Sequence, residues 1–297
     1  MDVVAQVAML FLLMFCGFFS SKINLISDEG VSGMNKMVVC FALPCMIVGK
    51  LQQDVDPGLM RDLTAVFLLG GATILLFGFL ARFVLYRNEE KNRRAVLASM
   101  CMFSNAGYMG FPVLSAAFGS ENLIYGVIYI AVFNLLGWSA GVMLFDRSAL
   151  SLRKLFKVPS LIAAVLGIVF FLLRIRLPGV VLEAMDAMGG MTTPLAMFII
   201  GARLSKLHLS DIRDVKMLSV CVLRLLVFPL LAWLLSTLFG FTGIVRATVV
   251  LCTAMPCATQ VALQAENYGG DRALASRGVA VSTLFSIATI PLILLLV

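Results

Sequence analysis

The chain has 297 residues, of which 61% are hydrophobic and only 13% are charged, and its mean hydropathy is +1.02. Soluble domains are about 45–50% apolar and about 25% charged, so this composition excludes a water-soluble globular protein. Lys and Arg outnumber Asp and Glu by 23 to 16, but these charges lie in short stretches between apolar segments. That pattern sets membrane topology and does not indicate a nucleic-acid-binding protein.

Ten apolar segments follow one another along the chain, and each approaches the roughly 20 residues that a helix needs to cross a membrane. The sequence therefore predicts an all-α integral membrane protein with ten transmembrane helices. The first segment follows one acid, Asp2, and no basic residue, so we expect a retained span and not a signal peptide. The ten segments are 3–19, 33–51, 63–85, 95–118, 123–145, 159–177, 187–204, 217–239, 247–265 and 278–297.

The two halves of the chain resemble each other. The fourth and ninth segments each follow an Arg-Ala pair, contain a proline (Pro112 or Pro256) and precede a Gly-containing acidic turn. Five spans per half is an odd number, so the halves must insert in opposite directions, as is typical of secondary transporters. We expect a first five-helix repeat over 1–145, a cytoplasmic linker over 146–158 and an inverted second repeat over 159–297.

Polar and helix-breaking residues interrupt the fourth and ninth segments near the middle of the bilayer. Asn105 lies eleven residues after Arg94, and Pro256 lies ten residues after Arg246, which is about 15 Å along a helix. Matched Gly/Pro breaks indicate a transport site, and half-helix N-termini favour anions. Two kinked helices joined by amide hydrogen bonds are the alternative. The residues predicted to bind substrate here are Asn105, Gly107, Pro112, Pro256 and Gln260, together with Arg224.

Arg224 is the ionisable residue that lies deepest within a predicted span, about 12 Å from the cytoplasmic end. All sixteen Asp and Glu fall in loops or near span ends. A deep cation without a deep acid favours an anionic ligand, and the alternative is that the Arg224 side chain snorkels to the membrane surface, as we expect of Lys36. Gln260, Gln264 and Asn134 either meet a ligand or join helices by hydrogen bonds.

The seven cysteines all lie in apolar segments without a CxxC pair, so we expect small buried apolar side chains and neither disulfides nor metal ligands. His208 is the only histidine and lies in a polar loop, which argues against a His-based metal site. No cofactor is expected. The cysteines are Cys16, Cys40, Cys45, Cys101, Cys221, Cys252 and Cys257.

The run SNAGYMGFPVL at residues 104–114 resembles the fourth-helix motif of the auxin efflux carrier family, which includes plant auxin carriers and bacterial organic-acid carriers. The stretch 253–297, with its Met-Pro break and its Thr-Ile-Pro step, is similar to the last two helices of that family. The resemblance implies two inverted five-helix repeats in which broken helices 4 and 9 cross at their prolines, and elevator-type alternating access. It assigns Asn105 and Pro112 to the first crossing helix and Pro256 to the second. Cys257 loosely matches a ligand residue of plant members, so the resemblance adds Cys257 to the residues predicted to bind substrate.

The predicted function is a secondary plasma-membrane carrier of small organic anions such as malonate or malate, with the substrate and the lipid bilayer as partners and a homodimer left open. A sodium-coupled carrier of the bile-acid-symporter type shares the broken crossing helices, but the sequence offers no deep acid for the ion. A membrane enzyme would need a nucleophile–base pair or a metal cluster at depth. In a receptor or scaffold, the matched breaks of the fourth and ninth segments would have no function.

The positive-inside rule predicts that both termini face outwards, because sixteen Lys and Arg then fall on the inward side. A reporter active only in the cytoplasm should be silent after Val297 and active when inserted at Ser151. The reverse pattern of reporter activity would contradict the charge distribution as the determinant of topology. The five cations left on the outward side are Lys50, Arg61, Arg174, Arg176 and Arg246.

Overall fold

The computed structural model describes residues 3–54, 56–149, 157–207, 212 and 214–297. Most of these residues are helical, and the described residues form no β-strand apart from one isolated backbone bridge. His208 and linker residues 150–156 lie outside the described residues. The all-α prediction is confirmed.

Helices lie at each of the predicted apolar segments. Among the described residues, six are long and apolar enough to cross a membrane: Asp28–Lys50, Pro57–Leu85, Ser120–Phe145, Gly179–Leu204, Val215–Leu238 and Arg272–Leu294. Four shorter apolar helices are Ala8–Lys22, Ala106–Phe118, Pro159–Leu172 and Gly243–Ala254. The chain is therefore a multi-helix membrane protein.

The individual helices are labelled in chain order. The first half contains α1 (Val3–Lys22), α2 (Asp28–Met37), α3 (Leu43–Lys50), α4 (Pro57–Phe79), α5 (Lys91–Met102), α6 (Phe111–Phe118), α7 (Leu123–Leu136) and α8 (Val142–Phe145). The second half contains α9 (Pro159–Leu172), α10 (Gly179–Gly190), α11 (Thr192–Leu204), α12 (Val215–Val222), α13 (Phe228–Leu238), α14 (Gly243–Ala254), α15 (Thr259–Asn267) and α16 (Arg272–Leu294).

The predicted start of the seventh segment at residue 187 is wrong. Helix α10 begins at Gly179, because the exposed acids Glu183 and Asp186 continue the helix although they lower its hydropathy. A window that scores hydropathy alone treats such a stretch as a loop.

Several π-helical turns interrupt the helices, and three of them end two residues before a proline. They lie at Val38–Ala42 before Pro44, at Ala106–Gly110 before Pro112 and at Leu223–Val227 before Pro229. Proline lacks the backbone donor and its ring clashes with the carbonyl four residues earlier. A π turn relieves that clash by adding one residue to the turn, so these prolines continue their helices and do not end them.

The helices pack in two bundles, and each half of the chain contributes to both. The first bundle consists of α1–α3 and α9–α11, in which α1 packs on α11 and α3 packs on α9 and α10. The second bundle consists of α4–α8 and α12–α16, in which α14 packs on α4, α7 and α13.

The outward faces of the helices carry large apolar side chains, including Leu12, Phe15, Leu68 and Phe79. Such surfaces are not tolerated in water and indicate contact with lipid. The predicted burial of the cysteine side chains is confirmed for the four cysteines at 101, 221, 252 and 257. It is wrong for Cys16 and Cys40, whose side chains are exposed on the outer helix faces.

Helices α1 and α11 cross at very short range. A Cβ atom added at Gly17 would overlap the backbone of Phe198, and one added at Gly201 would overlap the backbone of Met14. Small residues at a crossing let membrane helices approach closely, where van der Waals contact is the main attraction.

Gly201→Ala should therefore destabilise the protein by about 1–3 kcal/mol through overpacking. The matched control is Gly190→Ala, because a Cβ atom at Gly190 meets no atom within 4 Å. Thermal unfolding of the detergent-solubilised variants compares the two. Equal melting temperatures would contradict the close crossing.

Candidate functional site

The two interrupted helical segments meet at their breaks. Helices α5 and α14 each have 12 residues, about 18 Å, so both end near the middle of a hydrocarbon core of about 30 Å. Ser104 and Cys257 form an antiparallel bridge between the two breaks. The backbone hydrogen bonds that flank this bridge run from Asn105 N to Pro256 O (2.7 Å) and from Ala258 N to Phe103 O (3.0 Å).

The two breaks have different local causes. In the second break, Met255 adopts an extended backbone (φ −65°, ψ 149°), as expected of a residue before proline. The first break has no proline, and its extended residue is Phe103 (φ −110°, ψ 114°). Pro112 lies seven residues beyond Asn105, within a continuous helix. The expectation that both helices cross at their prolines therefore holds for Pro256 but not for Pro112.

The Arg224 side chain is 1% exposed. It lies against the carbonyl ends of α5 and α14, which are the first half-helices of the two interrupted segments. It donates from Nη1 to the carbonyl oxygen of Cys101 (2.6 Å), from Nε to that of Met255 (3.3 Å) and from Nη2 to that of Thr253. The four ion pairs of the described residues all lie elsewhere. Arg224 therefore does not snorkel, and backbone carbonyls stabilise its charge.

One further side chain completes the backbone pairing. Ser282, on α16, accepts a hydrogen bond from the backbone N–H of Cys257 at 3.0 Å. The Cys257 side chain itself is fully buried. Nothing in the sequence singled out Ser282, although it lies in the Ser/Thr-rich last helix on which the family resemblance was based.

Polar side-chain atoms without a partner surround the meeting point. Asn105 is 4% exposed, and its side chain makes no hydrogen bond to the described residues. The buried atom Gln260 Nε2 likewise has no partner in the described part of the chain, whereas Ser104 and Thr253 lie within side-chain hydrogen-bonding reach of the Tyr129 hydroxyl. Buried polar groups are normally paired, so an unpaired set of this kind is available to a ligand.

The other polar candidates join helices. Gln264 donates from Nε2 to the carbonyl oxygen of Gly137 at 2.7 Å, and Asn134 donates from Nδ2 to Ser160 Oγ at 3.1 Å. Gly107 lies in the π turn that opens the second half-helix, where an added Cβ would approach the side chain of Ile130. Lys36 is exposed.

A cavity of about 500 Å³ lies between the two bundles. It is at the far end of α15, whose 9 residues place it about 13 Å from the second break. The lining combines Lys157 with residues of both bundles. They are Val39, Trp138, Val158, Pro159, Asn267 and Tyr268.

The sequence model of the membrane transport protein family matches this chain twice, over residues 2–153 and 147–294. The chain belongs to the auxin efflux carrier family of membrane transport proteins. The resemblance found in the sequence is thereby confirmed. The two matches together cover nearly the whole chain.

Relatives of similar length are also named as transporters. An uncharacterised transporter of Methanothermobacter thermautotrophicus is 28% identical over 287 residues, covering 94% of this chain and 93% of the relative. Another, from Methanocaldococcus jannaschii, is 26% identical and covers 98% of this chain and 97% of the relative. A Rhizobium meliloti protein named "Putative malonate transporter" is 23% identical and covers 100% of this chain and 96% of the relative.

The bridge between the breaks can be tested by a disulfide. Ser104 and Cys257 are a non-hydrogen-bonded antiparallel pair, whose Cα atoms lie about 4.5 Å apart, within the range of disulfide geometry. Ser104→Cys, in a background that keeps Cys257 and lacks the other six cysteines, should crosslink on mild oxidation. Mass spectrometry of the cleaved protein measures the bond. Ser99→Cys, five residues earlier and within α5, is the control; equal crosslinking of both would contradict the pairing.

Proposed function

We propose that this protein is a secondary carrier of small organic anions, such as malonate or a related dicarboxylate, working by elevator-type alternating access. The observation that carries the proposal is the meeting of two interrupted helices, where Asn105 and Gln260 present unpaired amides. The family membership supports transport, and the name of the Rhizobium relative supports the dicarboxylate class.

The charges around the meeting point favour an anion. The first backbone N–H groups of the second half-helices, at Ala106 and Thr259, have no partner within their helices and carry the positive end of the helix dipole. The positive charge of Arg224 neutralises the negative carbonyl ends of α5 and α14, because its donors face those carbonyls. No described Asp or Glu is buried. A carboxylate held here would meet positive potential and no competing acid.

Two inverted five-helix repeats account for the meeting of one interrupted helix from each half of the chain. We assign the first repeat to 1–145, the cytoplasmic linker to 146–158 and the second repeat to 159–297, with ten membrane spans in all. In support, α4 and α12 begin at corresponding places with the N-caps Asp56 and Asp214. The double match of the family model also supports the repeats.

The division into two bundles supports elevator-type movement, in which the second bundle carries the site past the first. The polar contacts between the bundles are few and local. Asn134 on α7 donates to Ser160 on α9, and Tyr108 Oη donates to Asn35 Oδ1 at 2.9 Å. The cavity beside Lys157 lies on the linker side, so we assign this structure to the inward-facing state. Both termini would then face outwards across the plasma membrane.

Uptake into proteoliposomes tests the function. A panel of labelled mono- and dicarboxylates is offered with proton and sodium gradients imposed separately. Saturable uptake of at least one small dicarboxylate supports the proposal. Uptake of organic cations or neutral solutes alone would contradict it, and uptake of acids only with a sodium gradient would favour the bile-acid-symporter type.

Asn105→Ala should reduce the uptake of labelled malonate by about tenfold or more, because a buried hydrogen bond to the substrate is lost. Asn122→Ala is the matched control, since the Asn122 amide donates to Phe118 O at a helix end away from the site. Membrane abundance of both variants is measured in parallel. Normal uptake by Asn105→Ala would mean that this amide only packs between helices.

A further inference from the structure

The position of Arg224 is unusual because three carbonyls of two different breaks converge on one guanidinium. The carbonyl of Cys101 belongs to the last turn of α5 and that of Thr253 to the last turn of α14. The third carbonyl is that of Met255, the residue that follows α14. The side chain is buried, and α12 and α13 carry it on a π-helical turn. Its contacts therefore tie the second bundle together at the point where both spans are interrupted.

Both helix ends that face Arg224 are negative. The C-terminus of a helix carries about half a negative charge, and its last carbonyls lack partners within the helix. In carriers built from broken helices, unwound carbonyls and half-helix C-termini coordinate the coupling cation. Here the donors of a protein side chain already occupy that set of oxygens.

We propose that Arg224 is a tethered cation that replaces a coupling metal ion and positions the two first half-helices relative to each other. The part that concerns ion coupling rests on the proposed carrier function, whereas the positioning part rests on the contacts alone. Transport by this chain then needs no sodium ion, because the carbonyl ends are permanently neutralised. The two breaks also stay joined while the second bundle moves.

The geometry requires a guanidinium. Its planar fork presents Nε, Nη1 and Nη2 in fixed directions, so that one side chain reaches carbonyls on two helices at once. A lysine ammonium keeps the charge but concentrates its donors at one point. Glutamine keeps a polar side chain of intermediate length but loses the charge.

The decisive variant is Arg224→Ala, which leaves a space lined by carbonyls that a small cation can enter. Thermal unfolding of the purified protein is measured in choline chloride and with millimolar guanidinium or sodium added. We expect guanidinium to raise the melting temperature of Arg224→Ala and to leave unchanged that of the wild type and of Arg61→Ala, which lacks an exposed helix arginine on α4. If added guanidinium leaves the melting temperature of Arg224→Ala unchanged, the proposal is overturned.

Transport supplies the second readout. We expect malonate uptake by the wild type to be the same in sodium and choline, and uptake by Arg224→Ala to fall by about tenfold or more and to recover with guanidinium. A sodium requirement of the wild type, or full activity of Arg224→Ala in choline, would overturn the proposal. If the wild type transports no malonate, the proposed substrate fails while the unfolding measurements still decide the role of Arg224.

Arg224→Lys and Arg224→Gln keep the test decisive if the alanine variant does not fold. A tethered cation predicts that the lysine variant is closer to the wild type than the glutamine variant in both melting temperature and uptake. Equal behaviour of these two variants would mean that the side chain only fills space, and would overturn the proposal.

Discussion

Backbone groups at the breaks of two helices must find partners where no water can reach them, and the rest of the site depends on this constraint. Each break supplies part of what the other lacks, through the hydrogen bonds of Asn105 with Pro256 and of Ala258 with Phe103. Ser282 accepts a hydrogen bond from the remaining backbone N–H of Cys257. Arg224 donates to backbone carbonyls at the ends of both interrupted helices. Neither interruption would be stable alone in hydrocarbon, so the two spans are interdependent.

This interdependence links the local pairing to the proposed movement. Both broken spans, and the helices that carry Ser282 and Arg224, belong to the second bundle. The first bundle contributes none of these partners. A displacement of one bundle against the other therefore leaves the meeting point intact, while it exchanges contacts such as Asn134 with Ser160 and Tyr108 with Asn35. The unpaired amides of Asn105 and Gln260 would travel with it.

Much of this arrangement could be predicted from the sequence, because spans of about 20 apolar residues and polar residues at mid-depth are both visible there. Asn105, Pro256 and the depth of Arg224 were found in this way. The partners of Arg224 could not be predicted, since backbone carbonyls leave no trace in residue identity. Likewise, nothing in the sequence distinguishes a proline that breaks a helix, such as Pro256, from one that follows a π turn, such as Pro112. Ser282 acts through a single tertiary contact and was missed for the same reason.

The measurement that tests the account most directly is the accessibility of position 105 from the two sides of the membrane. Asn105→Cys, in a background without the native cysteines, is reacted with a membrane-impermeant thiol reagent in right-side-out and in inside-out vesicles. If the meeting point of the broken helices is an alternating-access site, the thiol reacts in both preparations. Reaction from one side only, or from neither, would contradict that account.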